Sequence, residues 1–208
     1  AAVDELAPGG HSRQRFGNVV ASRLPVRLLQ RHALPWPADP EVSSMPRIAV
    51  CATLQAPWGP LRVTTTHLEY YSALQRMAQA QALQHLNREA AERAQRPPRP
   101  DPDGGPFQPK PHTADSLLCG DFNFGPDSPE YRLLLSGAPA LHDGWTLVQG
   151  AQPHAPTFRL FDRRYGPEPM TCDFVFVSDR LAPRVQCMAV DVQTRASDHQ
   201  PVLIELED

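Results

Sequence analysis

Lysine is almost missing from this sequence: of 20 basic residues, 19 are arginine and the other is Lys110. Codon bias accounts for such a skew as well as function does, so no partner follows from it. Basic charge is in short supply altogether, since 23 acidic residues leave a net charge of −3. A protein that coats nucleic acid carries a basic footprint, and this one does not. An enzyme that meets nucleic acid only as substrate is still compatible. Long apolar runs are lacking too: none approaches the ~20 residues of a membrane helix, so no bilayer span is expected. The first residues, Ala1-Ala2-Val3-Asp4-Glu5, show neither the charged lead nor the apolar stretch of a secretory signal, and a cytoplasmic location is expected. The four cysteines, Cys51, Cys119, Cys172 and Cys187, form no C-x-x-C, which speaks against a zinc site or a disulfide framework. They read as small buried side chains in a reducing compartment.

What is present fits one globular domain over residues 1–208, with apolar residues at 41%. Proline, at 24 of 208, is about twice its usual ~5% share, so loops should be long and stiff. Strands are predicted at Gly17–Ser22, Val26–Arg31, Arg47–Gln55, Leu61–Thr66, Ser116–Cys119, Cys172–Ser178, Val185–Val192 and Pro201–Glu207. A brief extended piece is predicted at Pro156–Phe158. Between Arg47–Gln55 and Leu61–Thr66 lies the turn-like Ala56-Pro57-Trp58-Gly59-Pro60, so these two should pair antiparallel. From Ser72 to about Arg93 there is no Gly or Pro, and Leu83, Leu86 and Ala90 recur at helical spacing. Ser72 is a suitable N-cap for that helix, and Glu130–Ser136 predicts a second, shorter one. Residues 96–114 hold seven prolines and two glycines with almost nothing apolar. Such a segment cannot bury enough surface to order itself, and a disordered surface insert is expected. Strands outnumber helices, and their order suits two packed sheets with helices outside.

Chemistry concentrates at predicted strand ends. In Gly120-Asp121-Phe122-Asn123 a strand presents a carboxylate and an amide at i and i+2, on the same side. Asp121 can position a water or take its proton, and Asn123 can donate to a phosphate oxygen or hold that water. Alone, the pair also fits an Asx turn. Ser197-Asp198-His199 sets a hard oxygen ligand beside an imidazole just before the last strand. Asp198 suits Mg²⁺ or Mn²⁺, and a protonated His199 can stabilise phosphoryl charge; alone, this tripeptide also fits an exposed turn. Thr66-His67-Leu68-Glu69 adds a second strand-end imidazole. Asp173 sits inside the apolar run 172–177, where an unpaired charge costs several kcal/mol, so it needs a histidinium or an arginine beside it. Arg159, Arg163 and Arg164 can grip substrate phosphates or line a solvated loop. His11, His32, His85, His112, His142 and His154 read as surface or structural, and Trp36, Trp58 and Trp145, each beside Pro or Gly, as loop packing.

Taken in order, Gly17–Arg23, Thr66–Glu69, Gly120–Asn123, Cys172–Ser178 and Ser197–Val202 resemble the endonuclease/exonuclease/phosphatase superfamily of metal-dependent phosphoesterases. The resemblance implies a four-layer α/β/β/α sandwich of two mixed sheets flanked by helices. It implies that Asp121 aligns the attacking water, that Asn123 contacts that water or the phosphate, and that His67 and His199 contact the phosphate. It further implies that Asp173 orients His199 and that Asp198 is a metal ligand or supports one; apart from the resemblance, Arg164 of the arginine cluster is the substrate-binding candidate. The implied reaction is in-line displacement at phosphorus by water with Mg²⁺ or Mn²⁺. The implied partner is a phosphate-ester substrate, nucleic acid among the candidates. One departure stands out. The family opens with a strand ending in Asn and another ending in Glu, the chief metal ligand, and neither is seen before Gly17; Glu5 lies in no strand-like context. The domain is therefore expected to be N-terminally incomplete. A catalytically silent scaffold version of the fold is the alternative reading.

Overall fold

The computed structural model describes residues 2–5, 14–103, 105 and 107–207. Ala2–Glu5 (β1) and Gln14–Gly17 (β2) pair antiparallel, with Ala2 opposite Gly17. Two expectations are corrected here. Glu5 does lie in a strand, one too short and polar to show an apolar period. The run Gly17–Ser22 is not a strand beyond Gly17: Val19 is 83% exposed, so its β-branched side chain meets no packed face. Strand preference is mostly a preference for such a face.

Val26–Ala33 (β3), Ile48–Ala56 (β4) and Gly59–His67 (β5) form an antiparallel meander. Pro57 and Trp58 make the β4–β5 turn, with Ala56 paired to Gly59. The long helix Ala73–Gln95 (α1) starts at Ser72, whose hydroxyl accepts from the Gln75 amide at 3.1 Å. It returns the chain so that Ser116–Asp121 (β6) lies parallel to β5, as a helical crossover permits. Next come Pro129–Leu135 (α2), Leu141–Asp143 (β7) and Gly144–Gln149 (α3). Asp173–Ser178 (β8), Val185–Val190 (β9) and Val202–Leu206 (β10) complete the set. The described residues of 96–114 carry no helix or strand; Gly104 and Pro106 lie outside them, as does His11.

The larger sheet is mixed, in the order β3-β4-β5-β6-β8-β7, and β9 and β10 form a small antiparallel second sheet. The result is the expected α/β sandwich of two sheets with flanking helices. Leu118, Phe174 and Phe176 pack one face of the larger sheet against Leu83 of α1 and Leu134 of α2. Leu117, Val175 and Val177 pack the other face toward Met188, Val202 and Ile204 of the second sheet. The outward residues of that second sheet, Gln186, Ala189, Leu203 and Glu205, are exposed, and α3 packs beside it against β8 and β9.

Polar groups fix the chain just past β5. Buried Glu69 pairs with buried Arg47 at 3.2 Å and accepts from the Tyr70 and Tyr71 amides. Its own amide donates to Gln79 of α1. Glu69 therefore anchors the turn that follows His67, a structural task the sequence did not assign to it.

Candidate active site

Strand direction alone gathers the first three residues of the site. β5 and β6 run parallel and end together, and β8 runs antiparallel to β6 and starts at the same edge. The register places His67 opposite Asp121, and Asp121 opposite Asp173, in one row across three strands. His67 Nε2 lies 3.3 Å from Asp121 Oδ2. Gly120 makes this row possible. Its φ is +138°, and a Cβ there would sit 2.0 Å from the Thr66 carbonyl oxygen.

His199 reaches the row from the loop before β10. Its Nδ1 is 2.9 Å from Asp173 Oδ2 and its Nε2 is 3.8 Å from Asp121 Oδ2. The carboxylate inside the apolar run thus finds a histidine rather than an arginine. Phe158 holds the ring: it stacks on His199 at 4.4 Å between centroids and forms an isolated strand bridge with it. Buried Thr157 accepts through its hydroxyl from the Cys172 and Asp173 amides, both at 3.1 Å, and so sets the start of β8. Sequence reasoning read Pro156–Phe158 only as extended chain. An aromatic beside a small polar residue was too common a signal to assign those two roles.

Asn123 faces inward on the scaffold. With φ at 52°, it donates its amide N–H to Asp121 Oδ1 at 2.9 Å and its side-chain Nδ2 to the Leu68 carbonyl at 2.9 Å. The first bond is the Asx turn that the motif also fitted, and the second ties the Asp121 loop to the turn after His67. One Nδ2 hydrogen and the Oδ1 acceptor are left over.

The electrostatics separate the two histidines. Burial first, then the charges of Arg47 and His199, holds His67 down at about 4, so it is neutral at pH 7. Burial is also the largest single effect on His199 and lowers it. The Asp173 hydrogen bond and charge, with Asp121 and Asp198, outweigh that, and the net direction is up. Burial and the neighbouring charge of Asp173 push the Asp121 carboxyl up to about 6.

Asp121, Cys172, Asp173 and His199 each offer a possible metal-ligand atom, all within 4.8 Å of one another. Cys172 was expected to be an inert buried thiol, and burial does push it upward, but its Sγ lies 3.4 Å from Asp173 Oδ2. Only its place next to Asp173 in sequence hinted at this. Asp198 adjoins the group without joining it; its carbonyl accepts from the Arg159 amide. Arg164 is 74% exposed and paired with Asp162 at 2.6 Å. Arg159 and Arg163 donate to the carbonyls of Tyr165 and Pro167. Of the remaining histidines, His154 bonds buried Asp143 at 2.5 Å and stacks on Trp145, a structural role as expected.

No curated protein matches this sequence. Solved structures do match the fold. A Bacteroides thetaiotaomicron mannosyl-6-phosphatase aligns with a TM-score of 0.63 at 20% identity, covering 89% of this chain and 67% of its own. A Neisseria 3′ phosphatase bound to a product DNA hairpin aligns at 0.62 and 21%, covering 89% and 73%. Truncated Caenorhabditis elegans TDP2 aligns at 0.56 and 18%, covering 88% and 66%. The chain therefore spans roughly two thirds of the length of these proteins. In sequence, residues 2–199 match a single family description, and that stretch holds every residue of the row from His67 to His199. By that match the chain belongs to the endonuclease/exonuclease/phosphatase family.

Proposed function

We propose that the chain hydrolyses phosphate esters by in-line attack of water, with the Asp121 row as the catalytic centre. The observation that carries this reading is the convergence of two imidazoles on one carboxylate: His67 Nε2 at 3.3 Å and His199 Nε2 at 3.8 Å from Asp121 Oδ2, with Asp173 behind His199 raising its affinity for a proton. Asp121 accepts the proton of the attacking water; a base with that affinity is mostly ionised at pH 7 yet still basic enough to help. His199, oriented by Asp173, donates from Nε2 to the phosphoryl oxygens as negative charge builds on them. Neutral His67 approaches the same oxygen of Asp121, its Nε2 at 3.3 Å from Oδ2. Asn123 holds Asp121 through its amide and has one side-chain hydrogen left for water or phosphate. The bond from phosphorus to the leaving oxygen breaks as the bond to water oxygen forms, and the departing alkoxide takes a proton from solvent.

The donor set fits a divalent cation. The charge of Asp173 raises the cost of ionising Asp121, and a divalent cation bound at this end of the sheet would relieve it. Hard carboxylate oxygens suit Mg²⁺ or Mn²⁺, with Asp121 and Asp173 as holders and Asp198 as an adjacent ligand or support. When bound, the ion supplies positive charge at the phosphoryl oxygens and a more acidic water. Arg164, exposed beside the loop, is offered as a contact to the remoter part of the substrate. The related phosphatases, one of them holding a DNA hairpin, support phosphorylated small molecules and nucleic-acid ends as substrate classes. No helix is long and apolar enough to cross a membrane among the described residues, and all four cysteines are free. Free thiols support a reducing, cytoplasmic setting.

The test is hydrolysis of bis-p-nitrophenyl phosphate with Mn²⁺ or Mg²⁺, with and without EDTA. Turnover is expected only with metal, and Asp121→Asn or His199→Ala should abolish it. Unchanged rates in both variants would refute these roles, and no turnover by the folded wild-type protein on phosphodiesters, phosphomonoesters or nucleic acids would favour a silent scaffold.

A further inference from the structure

A second polar site lies at the far end of β5, five residues or about 17 Å from His67 at strand spacing. Leu61 and Val63 face the second sheet, so the alternate residue Arg62 points under α1. There it is only 8% exposed. Its Nη2 donates to Asn87 Oδ1 at 2.6 Å, and Ser116 donates to the same oxygen at 3.2 Å. Its Nε is buried and meets no oxygen or nitrogen acceptor, the guanidinium's other polar neighbour being the weakly accepting Cys51 thiol. No carboxylate lies within ion-pair distance of the guanidinium among the described residues. An isolated buried cation is costly, and a native site normally supplies a counter-charge.

The cavity that Arg62 lines holds about 40 Å³. Arg93, His32 and His112 line it as well. Its one acidic residue, Glu89, is already paired with Arg93 at 2.5 Å. Both histidines feel the positive field. Burial is the largest cause that holds each below its usual value, and Arg62 and Arg93 add to it against the pull of Glu89. By volume the cavity has room for roughly one to three water-sized guests, too little for a nucleotide.

We propose that this cavity is a binding site for one compact inorganic anion of chloride size, held by the Arg62 guanidinium. Such an ion accepts from the orphaned Nε, neutralises the buried charge and ties β5 to α1 through the Asn87 bridge. The site is separate from the catalytic row, so its test needs no turnover.

The experiment uses the full chain in EDTA at constant ionic strength, exchanging sodium gluconate for sodium chloride. The thermal midpoint should rise by roughly 3–6 °C when chloride reaches ten times its dissociation constant. The chloride NMR line should broaden in proportion to protein. Arg62→Met, which replaces the charge with an apolar chain of similar length, should abolish both effects. Asn87→Asp is a second variant that supplies an internal counter-charge at Nη2; it should raise the midpoint in gluconate and also remove the chloride response. Chloride effects of equal size in the wild type and both variants would overturn the proposal. So would an unbroadened chloride line, or a response to phosphate without one to chloride.

Discussion

His199 Nδ1 stands 2.9 Å from Asp173 Oδ2, although the two are 26 residues apart in the chain. This bond fixes more than orientation. A carboxylate on Nδ1 holds the Nδ1 hydrogen and favours the imidazolium, the charge state in which Nε2 carries a hydrogen as well. Asp173→Asn keeps the shape but removes the charge that raises His199. His199 should then titrate lower. The expected loss in kcat is about 10²–10⁴-fold, with the fall in the His199 titration midpoint, followed by NMR, as the independent readout. An unmoved midpoint would show that Asp173 is only structural.

The raised Asp121 carboxyl makes a separate prediction about stability. Its folded value is about 6 against an ordinary 3.8. A raised acid favours the folded state most at low pH, where it is protonated in both states. That advantage is lost as pH rises from 3.8 through 6, because the unfolded chain ionises more easily. Asp121→Asn never ionises and keeps what the wild type loses. In EDTA the variant should be more stable than wild type by about 2–3 kcal/mol at pH 7, and the gap should close near pH 4. Urea unfolding at both values measures it. The active, metal-loaded protein should lose turnover with unit slope only at a pH below about 6, because the bound cation lowers the cost of ionising its base.

These side chains were legible because regular strands carry them. Alternation and β-branching placed β4, β5, β6 and β8, and the motifs at their ends met because parallel and antiparallel pairing brings those ends to one edge. The helix α1 was legible from an uninterrupted run of helix formers between a Ser N-cap and the proline-rich segment. Short elements escaped. β7 has three residues, and α3 has six and begins at the Asp143 cap, so neither completes a period that a pattern can reveal. At Val19 the pattern misled, because residue preference says nothing about whether a packed face exists. The buried polar partners under α1 were invisible for a related reason. Arg62 and Asn87 lie 25 residues apart, and their pairing is a product of the crossover, not of local sequence.

Gly120 offers the sharpest test of how the row is built. The catalytic carboxylate follows a residue at φ +138°, a region that L side chains rarely adopt, and a Cβ would collide with the Thr66 backbone oxygen at 2.0 Å. Neither neighbour is a flexible side chain, so relief requires β5 and β6 to part at the point where His67 and Asp121 pair. Gly120→Ala should cost at least about 3 kcal/mol, which for a chain of this size is a fall of roughly 6–12 °C in the thermal midpoint. Gly59 provides the control: its φ of +131° is just as unusual, but a Cβ there meets nothing within 4 Å. Gly59→Ala therefore carries only the backbone strain, on the order of 1–3 kcal/mol. If the two variants melt together, the close approach of β6 to Thr66 is not what demands the glycine. If Gly120→Ala alone falls steeply, the glycine of the Gly-Asp-x-Asn motif is required by strand contact, and the chemistry of Asp121 depends on it.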